Sequence, residues 1–381
     1  MKKTITLVFI FCLLLFVSGR GQGFVSSKEK DFEWRAIGRA LFDAGAFWGG
    51  DSTDLGNGAK ISDLRLGVTA RFLNHWTGKI ELGYSESKIG IKDVFIDYAN
   101  GDHSVRVGHY FEPFAIDPLV GTTDYRMLTM GATARAFGDR RKLGVSYSYN
   151  QKYWVATGGL FSDGDVDNIK GLNEGYTLAA KIIGRPVYED KKLVHLGISA
   201  RYSEHDKDER NGITFTSGAP TDLLTRNQNS LLKAEVSDMI NQWKFGAEAI
   251  ILYNKWYFQT EYLMAHVNRF GAPNYTGAGW YAQASYLVLG SQHNYSRANG
   301  WVSNPSPGSL EVLCRYNITD MNDRRASIMG GQEQDVTLGA NYMFNRFVML
   351  KVNYSYVMFD RYAQNGGEDF NILQARVQFW F

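Results

Sequence analysis

From residue 32 onward the chain alternates. Between Phe32 and Trp48 the even positions carry Phe32, Trp34, Ala36, Gly38, Ala40, Phe42, Ala44, Ala46 and Trp48, while the odd positions include Arg35, Arg39 and Asp43. Successive side chains of a strand point to opposite faces, so this segment has one face for lipid and one for water. The pattern returns with Leu64, Leu66, Val68, Ala70 and Phe72 against Asp63, Arg65, Thr69 and Arg71. It returns again with Val194, Leu196, Ile198 and Ala200 against His195, Ser199 and Arg201, and with Leu350, Val352, Tyr354 and Tyr356 against Lys351, Asn353 and Ser355. Helical periodicity of 3.6 residues is hard to find anywhere.

A soluble sandwich and a membrane barrel both alternate, and strand length and end residues separate them. The segments run to roughly ten residues or more, where soluble strands average about five or six. Their apolar faces begin and end in aromatics, as in Trp34 to Trp48 and Trp76 to Tyr84, like the interfacial girdles of outer-membrane barrels. The expected fold is all-β, a transmembrane antiparallel barrel of about 16 strands. The alternating segments number one more than an even count, and a barrel with both ends on one side needs an even one. Short connections at His75, Asn150-Gln151, Asn254-Lys255 and Asn345-Arg346 read as periplasmic turns and fix strand directions. Counting from both termini assigns 228–239 to a long external loop. The same topology puts the long stretch from Gly290 to Gly308 on the periplasmic side, where barrels usually keep turns short.

Composition agrees with this. Gly 40, Tyr 22, Phe 23 and Trp 9 are high and Pro 7 is low, and the chain is too polar overall for a helical membrane protein. Met1-Lys-Lys, an apolar run from Ile5 to Val17 and the small and polar stretch Ser18-Gly-Arg-Gly-Gln-Gly23 read as a secretory signal over 1–22, cleaved near 21–23. A single barrel domain then spans 24–381, in the bacterial outer membrane. Cys12 lies inside the signal, so only Cys314 remains and no internal disulfide is expected. With 41 basic against 39 acidic residues the formal charge is +2, which names no partner, so any electrostatic role must come from arrangement.

The stretch Arg106-Val-Gly-His-Tyr-Phe-Glu-Pro-Phe114, then Asp124-Tyr-Arg126 and Arg140-Arg-Lys-Leu-Gly144, resembles the phosphate-selective porin O and P family. That family has a similar "VGxFKEPF" element entering the loop that folds into its barrel. Gly279-Trp-Tyr-Ala-Gln-Ala-Ser-Tyr-Leu-Val-Leu-Gly290 is similar to its aromatic strand, with Leu-Gly-Ser where the family has Thr-Gly-Glu. The hairpin from Asn341 to Gln378 matches its closing pattern. The resemblance spans nearly the whole mature chain. It implies a barrel of about 16 strands, usually a homotrimer, with basic side chains along an anion path.

A porin makes no bonds; it needs a wet lumen, a constriction and charges that select ions. The stretch from Glu112 to Arg140 is too long for a hairpin and carries Pro113, Pro118, Gly121, Gly131 and Gly138, so it reads as an inward-folded constriction loop. Its Arg126, Arg135, Arg140 and Arg141 are candidates for the anion path, with Glu112, Asp117, Asp124 and Asp139 holding the loop or balancing charge. Alternation also turns Arg35, Arg39, Arg65, Arg71, Lys79, Arg106, Lys181, Arg201, Lys244, Arg315, Lys351 and Arg376 inward. Fewer acids share that face: Asp43, Asp63, Glu81, Asp93, Asp97, Glu248, Glu261 and Glu311. The strongest candidates are Arg35, Arg39, Arg65 and Arg71 on adjacent strands, and Arg106 is a further candidate for the path. Arginine suits oxyanions because its planar donors pair bidentately. The plainer reading is that inward Arg and Asp neighbours bridge one another across strands.

Asp163, Asp165 and Asp167, followed by Asn168 and then Glu174, fit a calcium-loop spacing with Asn at the turn glycine. No helices flank it, and acidic loops are common outside barrels. No other cofactor is expected. The seven histidines are scattered, and no H-E-x-x-H, C-x-x-C or G-x-S-x-G spacing occurs. Nucleic-acid binding has no basic patch behind it. The expected function is passive diffusion of small polar solutes, preferentially anions such as phosphate or other oxyanions. A general porin without anion bias and a barrel-embedded enzyme are the alternatives. The closing "NILQARVQFWF" puts Leu373, Ala375, Val377, Phe379 and Phe381 toward lipid and Gln374, Arg376 and Gln378 toward the lumen. That terminal aromatic resembles the signal read by the barrel-assembly machinery.

Overall fold

The computed structural model describes residues 24–27, 31–50, 55–85, 88–138, 140–164, 175–204, 212–225 and 227–381. Sixteen antiparallel strands form one closed sheet. They are β1 Phe32–Trp48, β2 Gly58–Phe72, β3 Trp76–Ser85, β4 Lys88–Asn100, β5 His103–Phe111, β6 Arg141–Asn150, β7 Trp154–Ser162 and β8 Tyr176–Glu189. The second half is β9 Lys192–Glu204, β10 Met239–Tyr253, β11 Trp256–Arg269, β12 Tyr275–Leu289, β13 Leu310–Asp323, β14 Ile328–Asn345, β15 Val348–Phe359 and β16 Phe370–Trp380.

Each strand pairs with the next, and β16 returns to β1 in register from Trp48 with Asn371 to Arg39 with Trp380. Phe381 extends that seam: its N–H donates to the Gly38 carbonyl and Gly38 N–H donates back, at 3.0 and 3.1 Å. Below it the two-residue strand Val25–Ser26, outside the barrel, pairs with Trp34 and Glu33. No barrel strand is left with an open edge, which answers the aggregation hazard of an apolar strand.

The alternation sorts residues as the sequence implies. On β9, Leu196 and Ile198 are 52% and 63% exposed on the lipid face while His195, Ser199 and Arg201 are buried. Aromatic rings meet at both rims: Phe72, Trp76 and Tyr98 at one end, Tyr176, Tyr202 and Trp243 at the other. One end carries short turns, at 73–75, 101–102, 151–153, 190–191, 254–255 and 346–347, which in outer-membrane barrels is the periplasmic end. The stretch 290–309 emerges at this same end. The segment expected in an external loop at 228–239 contains Leu232–Val236, which pairs with Ile213–Ser217 in a separate two-stranded sheet.

Among the described residues three insertions enter the lumen. The constriction loop, 112–140, crosses it and docks on the far wall. Ala115 N–H donates to Ser199 Oγ at 3.2 Å and Leu128 N–H to Asn353 Oδ1 at 2.8 Å, while Asn341 Nδ2 donates to the Arg126 carbonyl at 2.9 Å. An upper hairpin, 212–238, descends onto that loop. Ser217 Oγ donates to the Ala132 carbonyl at 2.8 Å and Gln374 Nε2 to the Pro220 carbonyl at 2.7 Å. A lower hairpin, built on Asn294–Ser296 paired with Trp301–Ser303, rises from the short-turn end. Its Asn304 Nδ2 donates to the Thr123 carbonyl at 3.0 Å. Each insertion has carbonyls that no strand partner can satisfy, and inward side chains of the wall supply the donors.

A charged crescent in the lumen

The insertions divide the lumen into a dry side and a wet side. Against β8 to β16 the inward charges are sealed: Lys181, Arg201, Glu248, Glu261, Arg315, Lys351 and Arg376 are all buried. Glu248 is held by Lys181 and His195 of the neighbouring strands, and others by the loops they face. Lys181 donates to the Ala115 carbonyl, Lys351 to the Tyr125 carbonyl, and Arg201 Nε to Glu112 Oε2 at 2.7 Å. Along β1 to β6 the cover is uneven: Asp43, Asp63, Arg65 and Glu81 are buried, whereas the Arg106 side chain is 40% exposed and Lys79 22%.

Most charges of this crescent are paired across strands. Asp63 holds Arg39 at 3.0 Å and Arg65 at 2.9 Å; Glu81 holds Arg65 at 3.5 Å and Lys79 at 3.6 Å. Asp93 accepts from Lys79 at 2.6 Å and Arg141 at 2.5 Å. Asp97 receives both Nε and Nη2 of Arg106, at 2.6 and 2.8 Å. Aromatic shelves support the guanidinium planes: Arg106 lies 4.1 Å over Phe95 and Arg141 4.2 Å over Phe111, so the cations are oriented without losing charge. Lower down, Arg35 and Arg71 face the Phe24 ring at 5.2 and 4.3 Å. Neither has an acidic partner among the described residues.

The remaining candidates stand elsewhere. Arg126 donates to the Ser303 carbonyl and pairs with Glu311 at 3.4 Å in the dry side. Arg135, in the short helix Ala132–Phe137 of the constriction loop, donates to the carbonyls of Ala219 and Thr221, and burial pulls its pKa below the usual guanidinium value. Both tie one insertion to another. Arg140 is exposed at the rim. In the constriction loop Asp117 accepts from Tyr281 Oη at 2.8 Å and Gln259 Nε2 at 3.0 Å, and burial pushes its carboxyl up. Asp163 pairs with Lys142 and Arg201; Asp165, Asp167 and Glu174 lie outside the described residues. Among the described residues no group of three or more His, Cys, Asp or Glu is placed to hold a metal ion.

Strict alternation misses Lys92. A bulge between Ile80 and Leu82 shifts the β3–β4 register, pairing Ile80 with Val94 but Leu82 with Ile91. The extra residue turns both Lys92 and Asp93 toward the lumen. The Lys92 stem lies over Gly83, where an added Cβ would sit 2.4 Å from its Cε. Its electrostatic neighbours are Arg65, Asp63, Arg141 and Arg39, and among the described residues no acid pairs with it. Consecutive charges Lys92-Asp93 inside an otherwise alternating strand were the available signal.

A model of the phosphate-selective porin O and P family matches residues 36–381. An uncharacterized protein of Caulobacter vibrioides is 26% identical over 392 residues, spanning 96% of this chain and 77% of that protein. Among solved structures, in-vitro folded OmpT of Vibrio cholerae in its trimer form superposes with TM-score 0.61 at 13% identity, over 92% of this chain and 99% of that one. An anion-selective porin from Comamonas acidovorans gives 0.60 at 12% identity, over 92% and 100%. Those identities speak for the barrel alone, whereas the family match covers the strands and the constriction loop together. The chain belongs to the phosphate-selective porin O and P family.

Proposed function

We propose that this outer-membrane porin passes small anions, phosphate or other oxyanions, along the crescent formed by β1 to β6. The observation that carries the reading is the charge left over there. Asp63, Glu81, Asp93 and Asp97 are each already bound to one or two cations, while Arg35, Arg71 and Lys92 have no acidic partner among the described residues. Arg39, Arg65, Arg106 and Arg141 keep donors beyond those their acids use, which suits a path of several shared, weak sites. Arg126 and Arg135 act as latches of the insertions in this reading, and Arg140 as a rim charge. The tight pairing favours one second reading, a general porin without anion bias. The family match supports a channel rather than an enzyme.

Reversal potential under a salt gradient, with purified protein in a planar bilayer, separates these readings. Anion preference is expected, and Lys92→Glu should move the reversal potential toward cations. Cation preference in the native chain would sink the anion reading, and absent conductance would sink the channel. A homotrimer is part of the proposal. It is supported by the trimeric Vibrio cholerae neighbour and by an apolar groove of about 570 Å³ on the outer wall beside Ala70, Gly78, Ile80, Val94 and Val107. Lipid and the assembly machinery complete the partners, and residues 1–22 serve as the removed export signal.

A further inference from the structure

The lower hairpin is longer than a turn needs to be. Residues 290–309 join two adjacent strands at the end where the other connections take two or three residues. Instead of staying in the periplasm it climbs into the barrel. Val302 belongs to a buried apolar cluster with Ile116, Val120, Leu193, Ile250 and Tyr257, which joins the constriction loop to the wall. Gly300, at φ +79°, passes so close to Ile183 that a Cβ would lie 2.9 Å from its Cδ1. Around this apolar centre the tethers are scattered hydrogen bonds: the Arg297 carbonyl accepts from Arg185 Nη1 at 3.1 Å and Asn150 Nδ2 at 3.4 Å, Tyr295 Oη meets His195 Nδ1 at 2.9 Å, Arg126 donates to the Ser303 carbonyl, and Asn304 joins Thr123 and Asp124 of the constriction loop.

His293 sits at the root of the hairpin, buried. Its ring is 5.6 Å from that of Tyr257 on β11, and Nε2 bonds the Lys255 carbonyl of the neighbouring turn at 3.0 Å. Nδ1 makes no hydrogen bond; it faces Glu311 of β13 at 3.8 Å, a carboxylate that Arg126 of the constriction loop already pairs with. A proton on Nδ1 therefore adds a second cation to a socket holding one carboxylate.

We infer that the lower hairpin is a releasable plug, docked while His293 is neutral and freed when its ring is protonated from the periplasmic side. Burial and the Arg126 charge lower the docked His293 pKa to about 4, against ~6.5 for a free imidazole. The undocked form thus binds the proton more tightly between those values. Docking is at full strength above ~6.5 and weakens as pH falls, by about tenfold per unit down to ~4.

The test is hydrogen exchange of residues 294–304 in membrane-embedded full-length protein, with planar-bilayer conductance measured in parallel at pH 7 and 4.5. On acidification, exchange of the hairpin relative to strand amides should rise about 50-fold, and conductance should increase. His293→Gln, which keeps a donor for the Lys255 carbonyl, should flatten both responses. Exchange unchanged within twofold, a response that survives in His293→Gln, or hairpin release with no gain in conductance overturns the proposal. The plug rests on the channel reading; zero conductance at both pH values would fall on that reading, while exchange still decides the docking.

Discussion

Arg376 is the residue whose loss should cost most. It projects inward from β16, 1% exposed, and its Nε and Nη2 each donate to a carboxylate oxygen of Asp43 on β1 at 2.6 Å. The same guanidinium donates to the Leu128 carbonyl of the constriction loop and reaches Asp222 of the upper hairpin at 2.9 Å. Arg376→Met keeps most of the stem but leaves the Asp43 carboxylate, itself 3% exposed, without its partner. Removing one member of a buried ion pair costs about 3–5 kcal/mol, because the remaining charge stays desolvated. Asp43→Asn should cost less, roughly 2 kcal/mol, since Arg376 retains Asp222 and the Leu128 carbonyl. In a double-mutant cycle the combined variant should be about 2 kcal/mol more stable than the two losses added. Urea unfolding from lipid vesicles, followed by tryptophan fluorescence, reads all three variants. A cost below about 1 kcal/mol for Arg376→Met, or strict additivity in the cycle, would refute the argument that the pair is buried and coupled.

Two further predictions address the path and the seam. Asp93→Asn removes the acid that neutralises Lys79 and Arg141, so the reversal potential should move further toward anions; an unchanged or opposite shift would mean that the crescent is not the ion route. Deleting Phe381 removes its two backbone bonds to Gly38 and the terminal ring. Membrane insertion should fall severalfold while the molecules that do insert keep native conductance, and normal insertion would refute the assembly role.

The barrel was legible because its driving pattern is local. A period of two over ten or more residues, bounded by aromatics, can satisfy a bilayer only as paired strands in a closed sheet. The seam between β16 and β1 followed from the same pattern, as did the exclusion of 228–239 from the barrel sheet, but not its pairing with Ile213–Ser217. Lys92 was hidden by one inserted residue, which reverses the facing of a side chain without changing composition. Arg126 and Arg135 were hidden for another reason. Nothing local tells whether an arginine on an inserted loop meets water or a carbonyl, and here their partners, Ser303 and Ala219, lie far along the chain. The long stretch 290–309 was visible as an anomaly of topology, but its direction depends on the apolar cluster it meets inside.

The division of the lumen changes what each inward charge does. Facing β8 to β16, Arg201, Lys351 and Arg376 hold acids and loop carbonyls, so their geometry sets where the insertions stop. Facing β1 to β6, Asp63, Arg65 and Glu81 are buried as well, but Arg106 and Lys79 reach the open lumen. Arg376 joins the two sets, because the strand that carries it closes the barrel and the carbonyl it grips belongs to the constriction loop. The strand that closes the barrel therefore also holds the loop that narrows the pore. A defect there should reach conductance and stability together, whereas a change at Lys92 or Asp93 should alter selectivity in a barrel that still closes.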